Sequence, residues 1–150
     1  MVRTFTNAEE IEAAIGIPIG VSDWLTIDQD RVNQFADATG DHQWIHLDAE
    51  RAANGPFGGT IVHGYLTLSL VVMFGHQVFE FATGKPMINY GVNKVRFPSP
   101  VLVGSRVRAE VSVLAVQPVS AGTQVTMGFV IEIEGASKPA CVAETVILML

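Results

Sequence analysis

Residues 65–74 read Tyr-Leu-Thr-Leu-Ser-Leu-Val-Val-Met-Phe, the longest apolar segment of the chain, and Gly75, His76 and Gln77 interrupt it. A membrane-spanning helix needs about 20 apolar residues, so this segment is too short to cross a bilayer. A short helix that is apolar on nearly every side is typical of a buried helix inside a soluble domain. The sequence therefore predicts a buried helix from about Thr60 to about Phe81.

The sequence pattern changes after this helix from helical spacing to alternation. Apolar and polar residues alternate over residues 106–115 and again over residues 124–134. Further strands are predicted over Cys141–Met149 and Met87–Phe97. Short turns join the last three strands, so these must be antiparallel, because a parallel crossover needs about a dozen residues. One buried helix followed by an antiparallel meander predicts an α+β fold, with a curved sheet wrapped around the helix.

The residues before the buried helix carry signals for shorter helices. Asn7 is a suitable N-cap for a helix over residues 8–15. Thr26 and Gln29 have the spacing of a capping box, and Gly40 is a natural stop for the helix that would follow them. We therefore expect two short helices ahead of the buried one.

Length and composition limit the classes of protein to consider. The chain has 150 residues and a mass of 16.1 kDa, which is the size of one domain, and we expect residues 1–150 to form it. Hydrophobic residues make up 49% and charged residues 16%, a balance that supports a buried core. The formal net charge of -6 argues against a nucleic-acid partner, whose binding surface is normally basic.

Cysteine content and the N-terminal sequence bear on the compartment. The single cysteine, Cys141, excludes an internal disulfide and a cysteine-based metal cluster. Residues 1–10 are polar and acidic and contain no apolar run of the signal-peptide type. Since no membrane-spanning segment is predicted either, we expect a soluble cytoplasmic protein.

A polar segment after Gly40 holds the first candidate for chemistry. Asp41 and His46 are five residues apart, and in irregular chain this spacing lets both side chains converge on one point. A carboxylate and an imidazole that share one water molecule can move protons near neutral pH. The alternative is structural: Asp41 caps a turn, and His46 is a histidine whose hydrogen bonds are satisfied. Spacing alone favours the structural interpretation.

The second candidate is Ile61-Val62-His63-Gly64, at the start of the buried helix. Backbone N–H groups at a helix N-terminus are unpaired and suit a developing oxyanion, and a glycine lets a carbonyl approach closely. Equally, Gly64 could be small only so that a strand packs against the helix, and His63 could be a hydrogen-bonding brace. The residues leave these interpretations equally open.

A metal site is the third candidate. Asp41, His42, His46 and His63 could be assembled into a zinc site, which usually has three protein ligands when it is catalytic. The four-residue spacing of His42 and His46 suits zinc on a helix, but Gly40 ends the helix before them. We therefore predict that the protein binds no metal.

Two segments together resemble a known family. Residues 38–48 read Ala-Thr-Gly-Asp-His-Gln-Trp-Ile-His-Leu-Asp, and residues 55–64 read Gly-Pro-Phe-Gly-Gly-Thr-Ile-Val-His-Gly. They are similar to the MaoC-like dehydratases, the (R)-specific enoyl-CoA hydratases of the hot-dog fold, a group that includes NodN-like proteins. Residues 93–101 resemble the strand opening that usually follows the helix in that family. The resemblance implies a single hot-dog fold, an antiparallel sheet wrapped around a long central helix.

The resemblance also implies a role for each matching residue. Asp41 and His46 correspond to the catalytic pair, which activates the water that adds to C3 of a trans-2-enoyl thioester and supplies the proton at C2. Syn addition gives the (3R)-3-hydroxyacyl thioester, and the reverse reaction is dehydration. The Gly64 N–H corresponds to the donor that binds the thioester oxygen, and His63 and Trp44 are expected beside the substrate. No cofactor is implied.

The chain departs from the family pattern at two positions. Trp44 belongs to a Gln-Trp pair where many relatives have Asn-Pro, and its bulk could line or narrow the acyl channel. Val72 stands where some hydratases carry a serine that helps to order the catalytic loop. The candidates to replace that support are Asn89, Tyr90 and Asn93.

Partners follow from the same resemblance. The family's sites form where two subunits meet, and a sheet with a free edge favours pairing, so we predict a homodimer. The substrate would be an acyl-CoA or an acyl carrier protein thioester. Coenzyme A phosphates need local positive charge, for which Lys94 and Arg96 are the first candidates and Arg106 and Arg108 the next. Thioester hydrolysis and non-catalytic acyl-thioester binding stay open as alternatives, because a fold does not fix a function.

Overall fold

The computed structural model describes residues 1–150. The helices are α1 (Ala8–Glu12), α2 (Gln29–Thr39), α3 (Trp44–Leu47), α4 (Ala49–Ala53), α5 (Gly64–Ser69) and α6 (Val71–Val78). The strands are β1 (Arg3–Phe5), β2 (Pro18–Val21), β3 (Leu25–Thr26), β4 (Phe79–Phe81), β5 (Met87–Arg96), β6 (Arg106–Val119), β7 (Gly122–Ile133) and β8 (Cys141–Met149). The α+β prediction is confirmed.

The main sheet is an antiparallel meander, as the alternating sequence predicts. Its strand order is β2-β6-β7-β8-β5, and the short β3 also pairs with β6. Along β6 the apolar positions Val107, Ala109, Val111 and Val113 are fully buried, so the period of two sends one face of the strand into the core. β5 lies at one end of this order, with β8 as its neighbour on one side.

The central helix packs against the buried face of the sheet. Phe74 and Val78 on α6 belong to the same buried cluster as Val111 and Met127 on the strands. Leu70 joins α5 to α6 in helical geometry, and the Phe74 N–H donates to its carbonyl at 3.0 Å. The two helices therefore form one nearly continuous rod, with the sheet curved around it.

The predicted bounds of this helix were too wide at both ends. The helix begins at Gly64 and not near Thr60, because the preceding residues are extended and tied to other segments: the Val62 N–H donates to the Val101 carbonyl at 2.8 Å. It ends at Val78 and not at Phe81, because Phe79–Phe81 forms β4, which pairs in parallel with β1. Both ends are set by contacts with distant parts of the chain.

The N-terminal helices follow their local signals, with two corrections. The first helix was predicted over residues 8–15 but ends at Glu12, because Ile15 is extended and forms a β-bridge with Val113. The Asn7 side chain caps α1 by accepting from the Glu10 N–H, and Gly40 ends α2 with φ +80, a left-handed conformation that favours glycine. The predicted capping box at Thr26 is wrong. Asp28 caps α2, because its carboxylate lies two residues closer to the first turn and accepts from the Arg31 N–H. None of the helices is long and apolar enough to cross a membrane.

Candidate active site

Asp41 lies in the short loop directly after α2. The left-handed turn at Gly40 redirects the chain, and the Thr39 hydroxyl accepts weakly from the Asp41 N–H at 3.4 Å. One carboxylate oxygen, Oδ1, accepts from the Gln43 N–H at 3.3 Å. The other oxygen, Oδ2, faces His46 and His63. The Asp41 side chain is half exposed, so solvent reaches the carboxylate.

His46 is buried in the single turn of α3, where the sequence alone suggested irregular chain. Its Nδ1 lies 2.7 Å from the Ile61 carbonyl oxygen, which can only accept. The neutral ring therefore carries its proton on Nδ1, and the lone pair is on Nε2. Nε2 lies 3.8 Å from Asp41 Oδ2, so the structure brings together the two side chains that the sequence singled out.

His63 lies directly against this pair. Its ring stacks on the His46 ring, with centroids 3.8 Å apart and an interplanar angle of 23°. Its Nε2 lies 3.1 Å from the Asp41 main-chain carbonyl and 4.0 Å from Asp41 Oδ2. The side chain is 2% exposed, and this burial lowers its pKa below the usual 6.5. The His63 side chain is thus placed as a brace, which was one of the two interpretations of the sequence.

Gln29 supports the same loop, and sequence reasoning missed this role. Its side-chain amide donates to the His46 carbonyl at 2.8 Å and accepts from the Thr60 hydroxyl at 2.8 Å. Gln29 therefore joins α2, α3 and the segment ahead of α5. The capping-box spacing drew attention to Gln29 for a local reason, and no sequence signal marks a partner 31 residues away.

Residues 60–63, which precede α5, also hold α3 in place. The Ile61 N–H donates to the Ile45 carbonyl at 2.9 Å, and the Ile61 carbonyl accepts from the His46 ring. The backbone N–H and carbonyl of Ile61 therefore hold both the turn of α3 and the His46 ring. Asn89, Tyr90 and Asn93 make no hydrogen bond to Asp41 or His46. The side chains that bond to the backbone of these two residues are those of Gln29 and His63.

Gly64 is the first residue of α5. The first backbone hydrogen bond of the helix runs from the Thr67 N–H to the His63 carbonyl, so the Gly64 N–H has no acceptor within the helix. A Cβ at Gly64 would lie 3.1 Å from the Phe97 ring. Close packing and a free N–H, which the sequence left as alternatives, are therefore found together. Gly64 also lines a pocket of about 300 Å³ with Thr67 and Phe97.

Trp44 is held at one edge of the site. A Cβ on Gly55 would lie 3.2 Å from its ring, and the Arg51 guanidinium lies 4.1 Å from the ring centroid. Trp44 lines neither the pocket beside Gly64 nor the larger cavity described below. Its contact with an acyl chain stays a prediction, and its visible partners are a loop glycine and a cation.

The cations that could bind coenzyme A phosphates differ in whether a carboxylate already pairs with them. Arg106 and Arg108 pair with Glu134 and Glu132, and both stack over Trp24, so their charges are already compensated. Lys94 and Arg96 lie exposed on β5. The Arg96 guanidinium donates to the Val95 carbonyl at 2.7 Å, and no carboxylate lies within ion-pair distance of either residue.

Two further features surround the site. His42 is exposed and pairs with Asp37 at 3.0 Å, and this hydrogen bond raises its pKa above 6.5.

Ligand atoms of Asp41, His46 and His63 lie within 4.8 Å of one another, a spacing that a metal ion could use. The His63 Nε2, however, is turned to a carbonyl and must carry a proton there, which leaves no lone pair on the nitrogen nearest the other two groups. The donor set fits hydrogen bonding better than metal binding.

A large cavity lies apart from these side chains. It has a volume of about 820 Å³ and runs along the central helix beneath β5 and β8. Its walls are mainly apolar, and they include Leu68, Val72, Gly75, Met87, Phe129 and Ile147. Asn89 and the exposed His76 also border it. Size alone would make this cavity the candidate site, but Asp41, His46 and His63 lie outside it, so we assign the chemistry to the histidine cluster.

Comparison with known proteins supports the family that the motifs suggest. The chain is 55% identical over 147 residues to 3-hydroxyacyl-thioester dehydratase Z of Mycobacterium tuberculosis, covering 97% of both chains. It is 43% identical to nodulation protein N of Rhizobium leguminosarum, covering 93% of this chain and 89% of the relative. The solved (R)-hydratase from A. caviae, involved in PHA biosynthesis, superposes with a TM-score of 0.73 at 29% identity, covering 89% and 96% of the two chains. Residues 10–134 match the MaoC like domain, and the chain belongs to the MaoC-like dehydratase family.

Proposed function

We propose that this protein is a (3R)-specific enoyl-CoA hydratase, which adds water to a trans-2-enoyl thioester and runs the reverse dehydration. At the coarser level it is a hydro-lyase of 3-hydroxyacyl thioesters, since it shares more than half its residues over nearly full length with a dehydratase of that class. The finer proposal depends on one observation: Asp41 Oδ2 and His46 Nε2 face each other at 3.8 Å.

This distance suits a shared water molecule better than a direct hydrogen bond. Both facing atoms are acceptors, because Asp41 is a carboxylate and the Ile61 carbonyl holds the neutral His46 proton on Nδ1. A water oxygen at about 2.8 Å from each atom can donate one hydrogen to each. The pair would then hold the water with a lone pair free to attack.

The reaction balances with this pair alone. The water oxygen forms the bond to C3 while one of its protons passes to the pair, and electron density moves through C2 to the thioester oxygen. The Gly64 N–H stabilises the developing oxyanion, a type of contact whose loss typically costs about 10²–10³ in rate. The pair then returns a proton to C2 on the same face, which gives syn addition. The roles of base and acid are both assigned to the pair.

The acyl chain has an apolar route along the central helix. The cavity of about 820 Å³ begins at Leu68, one helical turn beyond Gly64, and continues past Val72 to Phe79. A thioester oxygen at Gly64 would leave the chain close to this entrance. We assign the cavity to the acyl tail, and Trp44 to the rim of the site.

A second copy of the chain would cover the free edge of β5. β5 has β8 on one side, and its other edge leaves backbone groups unpaired, with Ile88, Tyr90 and Val92 exposed. Pairing of β5 with the same strand of another protomer would satisfy these groups and cover the apolar side chains. Lys94 and Arg96 at the end of the strand would then lie close to the interface, available for the phosphates of coenzyme A.

Hydration of crotonyl-CoA, followed by the loss of absorbance of the conjugated thioester, tests this proposal. The wild-type protein should turn over, and chiral analysis of the product should give the (3R) isomer. Asp41→Asn should lower kcat by about 10² or more, because the amide can accept a hydrogen bond from the water but cannot take up or return a proton. A wild-type rate in the folded Asp41→Asn variant would remove Asp41 from the mechanism.

One observation favours a second candidate function. The similarity to nodulation protein N fits an accessory protein that binds acyl thioesters without turnover. Tight binding of acyl-CoA with no hydration at any chain length would support that function and exclude the first. Release of free coenzyme A thiol in the same assay would instead indicate thioester hydrolysis.

A further inference from the structure

His63 has no step of its own in the proposed reaction, yet it touches both members of the pair. Its ring is 2% exposed and lies between Phe35, 4.9 Å away between ring centroids, and His46, 3.8 Å away. A buried imidazole costs free energy unless its polar atoms are satisfied. Nε2 is satisfied by the Asp41 carbonyl, whereas Nδ1 is buried with no partner. The free-energy cost of the unpaired Nδ1 must therefore be offset by other contacts of the His63 ring.

The contact with Asp41 acts on the backbone. The Asp41 carbonyl can only accept, so His63 carries its proton on Nε2 and donates to it at 3.1 Å. This is the one side-chain hydrogen bond to that carbonyl, and it fixes the peptide plane from which the Asp41 side chain projects. Asp41 itself is half exposed and lies in a loop, where little else restrains it.

The contact with His46 acts on the ring. The two imidazoles are stacked at an interplanar angle of 23°, so His63 packs against one face of the His46 ring. The Ile61 carbonyl fixes His46 at Nδ1 but leaves rotation about that hydrogen bond open. The stacked His63 ring prevents that rotation, so the His46 Nε2 stays directed at Asp41.

We propose that His63 is a positioning residue, a neutral clamp in which one buried imidazole holds the Asp41 backbone with Nε2 and the His46 ring with its face, and so sets the distance between the catalytic carboxylate and imidazole. This inference rests on the proposed function. His63 touches neither water nor substrate in this role, and it acts only through Asp41 and His46.

The clamp works only while His63 is neutral. The titratable groups that act on it are Asp41 and His42 from the loop and His46 from α3, while Phe35 on α2 carries no charge. Burial lowers the pKa of His63, and a charge on His46 lowers it further, whereas Asp41 raises it. A proton on His63 would place two like charges face to face when His46 takes a proton during turnover. Burial therefore protects the clamp at neutral pH.

Three substitutions separate the two contacts. His63→Phe keeps the flat ring and removes the N–H donor, His63→Gln keeps a donor and removes the ring, and His63→Ala removes both. Displacing a reacting group by about 1 Å can cost about 10² in rate, so we expect His63→Ala to lower kcat by about 10-fold to 10²-fold. KM should change by less than about twofold, because the substrate contacts remain. Phe and Gln should each recover part of the loss.

Two outcomes would overturn the clamp. The first is a kcat of His63→Ala within twofold of wild type, and the second is a raised KM with unchanged kcat, which would mean that His63 binds substrate. Asp41→Asn and His46→Gln belong in the same assay. Wild-type rates in those two variants would reject the proposed function, whereas inactivity there with full activity in His63→Ala would reject the clamp alone.

Nitrogen NMR of the imidazole rings tests the clamp without any variant having to fold. At pH 7 the wild-type protein should show His63 neutral with its proton on Nε2, and the neutral form of His46 should carry its proton on Nδ1. A His63 ring that is charged, or protonated only on Nδ1, would overturn the proposal, because such a ring could not donate to Asp41 and lie uncharged against His46.

Discussion

The histidine cluster and the face formed by β5 and the central helix are built in opposite ways. In the cluster, hydrogen bonds within the chain hold each member in place: the Ile61 carbonyl accepts from His46, and His63 donates to the Asp41 carbonyl. On the face of β5, Ile88, Tyr90 and Val92 are exposed and one strand edge has no neighbour. The first region is complete within one chain, and the second is not.

This difference shows where each kind of function is placed. Proton transfer needs atoms held to within a fraction of an ångström, so it lies in a buried hydrogen-bonded frame. Binding of a tail or a second copy needs apolar area, so it lies where side chains are left uncovered. Substitutions in the two regions should therefore fail in different ways.

The largest expected effect contrasts a histidine from each region. His46→Gln should lower kcat for crotonyl-CoA by about 10² or more, since the amide cannot take up a proton. His76→Gln, on the exposed side of α6 beside the large cavity, should stay within about twofold of wild type. Steady-state kinetics of the two purified variants measures both values of kcat. An equal loss of kcat in both would contradict the distinction between the two regions.

The next effect concerns the uncovered edge. Val92→Lys should weaken the dimer by more than about 10-fold, because pairing of β5 would bury or oppose like charges. Val130→Lys is the matched control: it is also an exposed valine, but on β7, which has neighbours on both sides. Light scattering with size exclusion measures the mass of each variant. A Val92→Lys protein that stays as dimeric as Val130→Lys would place the interface elsewhere.

The cavity provides a test that depends on chain length. Val72→Trp would fill part of the space of about 820 Å³, so we expect turnover of long-chain enoyl thioesters to fall by about 10-fold. Crotonyl-CoA, whose tail is too short to reach Val72, serves as the control within the same variant. A uniform loss over all chain lengths would mean that the cavity does not hold the acyl tail.

A smaller effect should follow from the frame around the site. Gln29→Met keeps the shape of the side chain but leaves the His46 carbonyl and the Thr60 hydroxyl without their partner. Loss of a buried hydrogen-bonding partner costs about 1–3 kcal/mol of unfolding free energy. Gln34→Met, an exposed position on the same helix, should change stability by less than about 0.5 kcal/mol. Urea denaturation of both variants measures the difference.

The smallest effect is a slope of stability against pH. The pKa of His63 is lowered in the folded protein, so below pH 6.5 the unfolded chain binds a proton that the folded chain resists. Stability should fall as the pH drops through that range, at most by about 1.4 kcal/mol for each unit of pKa depression. His42 has a raised pKa and acts with the opposite sign, adding stability below pH 6.5 that is lost at higher pH.

Melting temperatures between pH 5 and 8 check this slope. His63→Phe should remove the acid destabilisation, because phenylalanine takes up no proton, whereas His42→Gln should make the acid loss steeper. A slope that is unchanged in His63→Phe would show that another group accounts for the acid sensitivity.

Much of the fold was predictable because local patterns carry it. The strand over Cys141–Met149 has the predicted bounds, and Asn7 and Gly40 cap and end their helices as expected. Some predictions were wrong: distant contacts explain the bounds of the central helix, whereas the cap of α2 is a local choice between two residues that can both cap a helix. The central helix was predicted too long at both ends, and the cap of α2 is Asp28 and not Thr26.

The site divides in the same way. Asp41 and His46 were singled out by residue type and by resemblance to the family, and the structure brings them together. The sequence did not single out Gln29 or the Ile61 carbonyl, although both form hydrogen bonds with His46. A backbone carbonyl has no sequence signature, and a glutamine that bonds across 31 residues looks like any other.

By itself, the sequence determined the alternation of the strands, the apolar central rod and the residue types able to move a proton. These depend on the repeat of the backbone and on side-chain chemistry, which are properties of neighbours along the chain. Only the tertiary structure decided where the rod begins, which nitrogen of His46 is free and how far that nitrogen lies from Asp41. These depend on hydrogen bonds and ring contacts between segments brought together by folding, and their partners are not encoded in any local spacing.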